Sequence, residues 1–222
     1  MVSVSWLKYR IHRAFRPEIG SPGHNDRVTA TRRPWGLIGV LLVTGAAGLL
    51  ASFSLTLEKL HVLADPNAQL GCDFSLIVQC GANLNSWQGS AFGFPNPIIG
   101  LMGFVAPIAV AIALIAGSRF ASWFWIAFNI GVAGALAFCI WLMGQSIFVL
   151  GTLCPWCMLT WAATILMFWT LTGYTFREGH FGSAVRGLGR FVYGWVPLLT
   201  IASYLVVAII AQLRLDVLGH IF

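Results

Sequence analysis

The sequence predicts an all-α protein that crosses a membrane several times. Hydrophobic residues (AVILMFWYC) make up 58% of its 222 residues and charged residues only 9%, whereas soluble domains average about 45–50% and about 25%. The mean hydropathy is +0.82. So few charges cannot cover the surface of a soluble domain. The net charge is +6, but the basic residues flank apolar stretches, so we expect no nucleic-acid partner.

Five apolar stretches are long enough for the crossing of roughly 20 residues that a bilayer requires. They are Trp35–Leu57, Pro97–Ala116, Ser122–Leu142, Thr152–Gly173 and Phe191–Leu213, and the third could continue to Leu150. The first stretch is longer than the core of a secretory signal and follows a long polar and basic segment. We therefore expect it to be retained as a membrane helix.

The distribution of Lys and Arg predicts the orientation, because cytoplasmic segments of membrane proteins are rich in these residues. Eleven of the 13 basic residues lie before the first stretch, between the second and third, or between the fourth and fifth. Only Lys59 and Arg214 lie on the other side. We expect a basic cytoplasmic tail (1–33), a four-helix unit (34–175) with an outer loop (58–96), a cytoplasmic loop (176–190), and a fifth helix with an outer C-terminus (191–222).

Four of the five cysteines fall on the predicted outer side or at its membrane boundary. Outside the cytoplasm thiols are driven towards disulfides, so these four form two potential redox pairs. Four cysteines allow three pairings, and the spacing favours Cys72 with Cys80 and Cys154 with Cys157. Cys139 lies within the third stretch, where we expect it to be a small buried hydrophobic residue.

The Cys-Pro-Trp-Cys motif that begins at Cys154 and ends at Cys157 is the most specific feature of the sequence. At the first turn of a helix, the dipole and the free backbone N–H groups stabilise a thiolate, which is the attacking species in disulfide exchange. A structural disulfide or half of a zinc site are the alternative interpretations. The pair Cys72 and Cys80 could simply staple the loop, but next to this motif it is better interpreted as an electron shuttle.

Continued turnover of an outer dithiol requires an electron acceptor. The five histidines lie in tails, loops or at the ends of the apolar stretches, so no facing pair suited to haem lies within them. A lipid-soluble quinone needs only an apolar cleft, an aromatic wall and one or two hydrogen-bond donors. We expect Asn96 to supply a donor. The candidate aromatic residues are Phe94, Phe138, Trp141, Trp156 and Trp161.

In these features the sequence resembles the vitamin K epoxide reductase (VKOR) family, in its bacterial disulfide-forming branch, over roughly residues 35–173. The resemblance rests on the spacing of Cys72 and Cys80, on Ser86 shortly after them, on Asn96 at the start of a helix, and on the motif heading the fourth stretch. It implies a catalytic four-helix bundle in a bacterial inner membrane. A quinone of the menaquinone or ubiquinone type would bind near the outer face, capped by a loop bearing a short half-helix.

The resemblance also implies a route for electrons through the four outer cysteines. An extracytoplasmic DsbA-like protein of thioredoxin fold would pass electrons to Cys72, Cys80 would exchange with Cys154, and Cys157 would reduce the quinone. No thioredoxin domain follows the fifth stretch in this sequence, so we expect the partner to be a separate protein. The product would be disulfide bonds in exported proteins.

Three further residues match quinone-site positions of that family. Asn96 matches a residue that hydrogen-bonds a quinone oxygen, although Asn96-Pro97 is also an ordinary helix start. Ser86 matches a loop serine or threonine, although it could instead cap a short helix. Trp161 stands where the vertebrate branch has a tyrosine, which argues against epoxide reduction.

Two other functions remain open from the sequence. One is a quinone-epoxide reductase that uses the same thiols, and the other is a non-catalytic membrane scaffold with a zinc site built from the four outer cysteines. We expect no metal. The second to fourth stretches contain no Asp, Glu, Lys or Arg, which disfavours an ion transporter.

Overall fold

The structure is a computed structural model that describes residues 33–65, 69–217 and 219. Within these residues it is helical and contains six α-helices, which confirms the predicted all-α class. They are α1 (Trp35–Ala64), α2 (Gly81–Asn85), α3 (Pro97–Ile115), α4 (Ser122–Gly144), α5 (Pro155–Glu178) and α6 (Arg186–Leu215). Short 3₁₀ turns cover Trp87–Ser90 and Ser183–Val185, and a π-helical turn covers Gln145–Leu150.

In the described part of the chain, five helices are long and apolar enough to cross a membrane, which confirms a multi-pass membrane protein. The helices extend further than the apolar stretches that predict them. Helix α1 continues to Ala64 rather than ending at Leu57, and α5 continues to Glu178 rather than Gly173. Hydropathy marks only the part of a helix that lies in the hydrocarbon core, whereas the helix itself can continue into water.

Four long helices form the core of the bundle. Helix α1 packs against α3 and α5, and α4 packs against α5. The buried side chains between them include Leu41, Phe104, Trp125 and Leu171. A Cβ atom at Gly48 would collide with the ring of Phe104, so this glycine is what allows α1 and α3 to approach closely.

Helix α6 lies outside this core. It packs on α5, and of its 30 residues only Gly189, Val196, Thr200 and Ala211 are buried. The architecture is therefore a four-helix core with a fifth long helix on one side, as the sequence predicts.

The bundle has a basic end and a cysteine end. At the basic end, Nδ1 of His180 lies 3.1 Å from Oγ of Ser122, which joins the end of α5 to the start of α4. Five described arginines lie at this end, either just outside the long helices or in their terminal turns: Arg33, Arg119, Arg177, Arg186 and Arg190. Cys80 and Cys154 lie at the opposite end, where α4 ends and α5 begins.

Candidate functional site

A short backbone bridge joins the loop after α1 to the segment that leads into α5. Val78 and Leu153 form a parallel β-bridge. The N–H of Leu153 donates to the carbonyl of Ile77 at 2.7 Å, and the carbonyl of Leu153 accepts from the N–H of Gln79 at 3.0 Å. Cys154 follows Leu153 directly, and Cys80 follows Val78 by two residues. Their side chains therefore meet although they are 74 residues apart in the chain.

Three cysteines form a compact buried group at this point. Cys72 and Cys80 are joined by a disulfide, which is the pairing that the spacing favours. Cys154 and Cys157 are free thiols in this structure. The Sγ atom of Cys154 lies 3.3 Å from Sγ of Cys80. A thiol thus contacts a disulfide sulfur, which is the geometry that precedes thiol–disulfide exchange.

Cys154 occupies the N-cap position of α5, and Pro155 takes the first helical position. The Sγ atom of Cys154 accepts a hydrogen bond from the backbone N–H of Cys157 at 3.3 Å. The pKa of the Cys154 thiol is lowered, chiefly by a hydrogen bond from the side chain of Cys157, and burial opposes this effect. The Cys157 side chain, and to a smaller extent the backbone N–H groups of Cys157 and Trp156 at the helix start, therefore favour a thiolate at Cys154.

Two charged side chains hold the loop that carries Cys80, and neither was predicted to belong to the site. Oδ1 of Asp73 accepts hydrogen bonds from the backbone N–H groups of Cys80 at 2.7 Å and Gly81 at 3.1 Å. Nζ of Lys59 donates to the carbonyl of Leu84 at 2.7 Å. Together they fix both ends of the short helix α2, which is the half-helix expected in the outer loop.

A cavity of about 660 Å³ lies beside the cysteine group, between α3, α4 and α5. Most of its wall is apolar, and its amide side chains come from the outer loop and from the end of α4. Ser86, Asn96, Cys157 and Trp161 all line this cavity. The structure therefore brings together the four residues that were predicted to contact a quinone.

Ser86 and Asn96 also hold the loop in shape. Oγ of Ser86 caps the 3₁₀ turn by accepting from the N–H of Gly89 at 3.2 Å. Nδ2 of Asn96 donates to the carbonyl of Gln88 at 2.6 Å, and its Oδ1 accepts from the N–H of Ala91 at 3.1 Å. The capping interpretation of Ser86 is thus what the structure shows, and Asn96 ties α3 to the loop above the cavity.

The sequence profile of the Vitamin K epoxide reductase family matches residues 39–172, which is more than half of the chain. The chain belongs to the vitamin K epoxide reductase family. The matched residues include the loop disulfide and the Cys154–Cys157 motif. A search of curated proteins finds no match. Family membership together with a redox-capable cysteine pair makes this VKOR-family protein a membrane oxidoreductase.

This VKOR-family structure contains a fifth cysteine, Cys139, and a group of possible metal ligands. Cys139 is buried, as predicted, and its thiol lies 3.8 Å from Oγ1 of Thr164. Among the described residues, Cys72, Asp73 and Cys80 place their ligand atoms within 4.8 Å of one another. The two sulfur atoms are joined in the disulfide, so binding of zinc by thiolates would first require reduction.

Sequence reasoning missed two glutamines of the cavity wall. Nε2 of Gln88 donates to Oε1 of Gln145 at 3.2 Å, which links the outer loop to the end of α4. Gln88 is 4% exposed. The only signal in the sequence is that Gln145 interrupts a long apolar run, and nothing in it indicates that the two residues meet.

Proposed function

We propose that this protein is a quinone-dependent thiol–disulfide oxidoreductase that reoxidises a DsbA-like protein of thioredoxin fold outside the cytoplasm. Electrons pass from that partner to Cys72 and Cys80, then to Cys154 and Cys157, and finally to a membrane quinone. The oxidised partner then forms disulfides in exported proteins. The observation that carries this proposal is the 3.3 Å separation of the Cys154 and Cys80 sulfurs, next to a cavity that Cys157 lines.

The internal transfer consists of two thiol–disulfide exchanges. The Cys80 thiolate attacks Sγ of Cys154 in an oxidised Cys154–Cys157 pair, so that the Cys80–Cys154 bond forms and Cys157 leaves as a thiolate. The Cys72 thiolate then attacks Cys80, the loop disulfide forms, and Cys154 leaves as a thiolate. A loop disulfide facing two free thiols is the arrangement that these two steps produce.

The start of α5 supports the second exchange. A thiol of lower pKa is a better leaving group in disulfide exchange. The pKa of Cys154 is lowered by the hydrogen bond from the Cys157 side chain, and the backbone N–H groups of Cys157 and Trp156 contribute further. The same contacts that stabilise the Cys154 thiolate therefore favour its release from Cys80.

The cavity fits a quinone in size and chemistry. Its volume of about 660 Å³ is within the range of roughly 300–1,000 Å³ that is typical of small-molecule sites, and its polar groups are few. Cys154 is fully buried against the loop disulfide, whereas Cys157 lines the cavity, so Cys157 is the thiol that faces the acceptor. When bound there, a quinone would supply the acceptor for the two electrons and two protons that the dithiol loses on closing its disulfide.

The residues predicted for quinone binding have specific parts in this proposal. The side-chain amide nitrogen of Asn96 carries two N–H groups. One donates to the backbone carbonyl of Gln88, so the other can donate to a quinone carbonyl oxygen. Trp161, which is buried in the wall, provides an apolar surface for the ring. Ser86 acts by keeping the 3₁₀ turn in place above the cavity.

The partner must reach Cys72, which is only 2% exposed. Its attack on Cys72 therefore requires the loop to move away from α5. Phe74 and Leu76 lie between the two loop cysteines and are 73% and 88% exposed. These side chains offer an apolar surface on which the partner can bind while the loop opens.

We further propose that the protein lies in a bacterial inner membrane with its cysteine end outside. The concentration of Arg at the opposite end of the bundle supports this orientation. Residues 34–175 would then form the catalytic bundle, 176–190 a cytoplasmic loop, and 191–222 the fifth helix and outer C-terminus. The basic tail, 1–33, lies almost entirely outside the described residues.

The test measures oxidation of a reduced DsbA-like protein by the full chain in liposomes that contain a membrane quinone. Cys154→Ala and Cys157→Ala should each abolish turnover. Cys139→Ser is the matched control, because Cys139 lines the same cavity but takes no part in the transfer, and it should retain full turnover. Full turnover by either of the first two variants would refute the proposal.

A trapping experiment tests the partner separately. In a Cys80→Ala variant Cys72 is a free thiol, so its thiolate attacks the disulfide of the oxidised partner and one partner cysteine leaves as a thiolate. The resulting mixed disulfide cannot be resolved by Cys80 and should accumulate. Mass spectrometry of the trapped species should identify an exported protein with a thioredoxin fold. Failure to trap any exported protein through Cys72 would contradict this part of the proposal.

A further inference from the structure

The end of α4 departs from regular α-helical geometry where it reaches the cavity. The π-helical turn Gln145–Leu150 follows α4 and ends at Gly151, which has φ 68°. Single π-helical turns are frequent at functional sites because they redirect a side chain. Here Ser146 and Ile147 point into the protein and Phe148 and Val149 are exposed, whereas Gln145 lines the cavity at the end where Cys157 lies.

The hydrogen bond from Gln88 determines which way the amide of Gln145 faces. Oε1 of Gln145 accepts from Nε2 of Gln88 at 3.2 Å, so Nε2 of Gln145 lies on the other side of the amide. Within the part of the chain that the structure describes, this nitrogen donates no hydrogen bond. Gln88 in turn is buried, and its backbone carbonyl accepts a hydrogen bond from Nδ2 of Asn96.

We propose that Gln145 binds the quinone, donating a hydrogen bond from Nε2 to one of its carbonyl oxygens, and that Gln88 is the positioning residue that orients this donor. The inference rests on the proposed function, since it assigns a contact within the same cavity. It adds a second carbonyl donor besides Asn96, from a different element of the bundle. An amide N–H selects a carbonyl acceptor and gives no advantage to a ligand without one.

The test compares variants that separate the donor from the link between the two glutamines. Gln145→Glu keeps the oxygen that accepts from Gln88 but has no N–H in place of Nε2. Gln145→Met removes both functions, and Gln88→Met removes the link but leaves the donor. Each variant is assayed in the full chain for KM and kcat with a short-chain quinone, and for the Cys154–Cys80 exchange in the absence of quinone.

We expect Gln145→Glu and Gln145→Met to raise the KM for quinone about tenfold, which is the effect of losing one neutral hydrogen bond. Gln88→Met should raise KM less, and thiol exchange should stay unchanged in all three. The infrared band of a carbonyl-labelled quinone should shift to higher frequency when bound to Gln145→Met. A role in loop structure alone would not move this band.

Two outcomes overturn the inference. One is an unchanged KM and an unchanged carbonyl band in Gln145→Met. The other is an equal loss in Gln88→Met and Gln145→Met that is accompanied by slower thiol exchange, because this pattern indicates a purely structural link. If the wild-type chain oxidises its thiols without any quinone being reduced, it is the proposed function that fails.

Discussion

Replacing Asp73 should slow the exchange between Cys80 and Cys154, because this carboxylate holds Cys80 in position. It accepts two backbone hydrogen bonds, from Cys80 at 2.7 Å and Gly81 at 3.1 Å. A hydrogen bond to a charged group contributes about 1.5–3 kcal/mol when it is well buried, and Asp73 is exposed, so we take about 1.4 kcal/mol for both together. That energy corresponds to a tenfold decrease in the population with Cys80 aligned.

The assay uses a Cys157→Ala background, in which the Cys80–Cys154 disulfide cannot be resolved by Cys157. Starting from the loop disulfide, the Cys154 thiolate attacks Cys80, and Cys72 is released as a thiolate. Alkylation of the released Cys72 thiol at successive times, followed by mass spectrometry, gives the rate of exchange. Asp73→Ala should reduce this rate about tenfold.

Two variants control for the charge and for general loosening of the loop. Asp73→Asn keeps the accepting oxygen and should retain most of the rate. Glu58→Ala removes a hydrogen bond of 3.1 Å to the N–H of Gly71, so it loosens the same loop without touching Cys80. The reasoning would be refuted if adding Asp73→Ala changed the exchange rate of the Cys157→Ala protein less than twofold. It would also be refuted if Glu58→Ala lowered this rate as much as Asp73→Ala.

The pH dependence gives an independent signature of the Asp73 charge. The pKa of Cys154 is lowered chiefly by the hydrogen bond from the Cys157 side chain, and the Asp73 carboxylate partly opposes this by repelling the thiolate. Removing the carboxylate lowers the pKa of Cys154 further, so the thiolate fraction at a given pH below the pKa increases. Asp73→Asn should therefore move the rise of the exchange rate to lower pH.

Two further predictions concern the helix start and the turn before it. Cys157→Ala should raise the pKa of Cys154 towards its ordinary value, because the main hydrogen bond that lowers this pKa is lost. The ultraviolet absorbance of the Cys154 thiolate should then appear at higher pH. An unchanged midpoint of this absorbance titration would contradict the prediction. Gly151→Ala should destabilise the protein by about 1 kcal/mol, because its φ of 68° is costly for a residue with a Cβ atom. Thermal unfolding in detergent measures this loss. Gly134→Ala is the control, because a Cβ atom there meets nothing within 4 Å and the φ of Gly134 is not positive. Equal unfolding temperatures of the Gly151→Ala and Gly134→Ala variants would count against the argument.

The helices that cross the membrane could be predicted closely where a local signal marks their ends. Helix α3 is predicted over Pro97–Ala116 and observed over Pro97–Ile115, because Pro97 at the first helical position fixes its start. The end of α1 was predicted less well. The residues after Leu57 include Glu58 and Lys59, which ended the apolar run, although they continue the helix and make the contacts that hold the loop.

The cavity residues show where local reasoning was insufficient. Ser86 was assigned to the quinone site by resemblance and Asn96 also as a candidate donor, and both line the cavity. Their hydrogen bonds within the loop, however, depend on how residues 83–96 fold back over the bundle. Gln88 was not identified at all, since a single glutamine in a polar loop carries no signal of burial.

Composition and spacing alone determined that this chain is a multi-pass helical membrane protein with a Cys-x-x-Cys at a helix start and a second pair in the preceding loop. These are local properties, because hydropathy and helix starts depend on neighbouring residues. Only the tertiary structure decided that the two pairs meet, through a bridge between Val78 and Leu153, which are 75 positions apart in the sequence. Such a contact depends on the packing of three intervening helices, which no short stretch of sequence encodes.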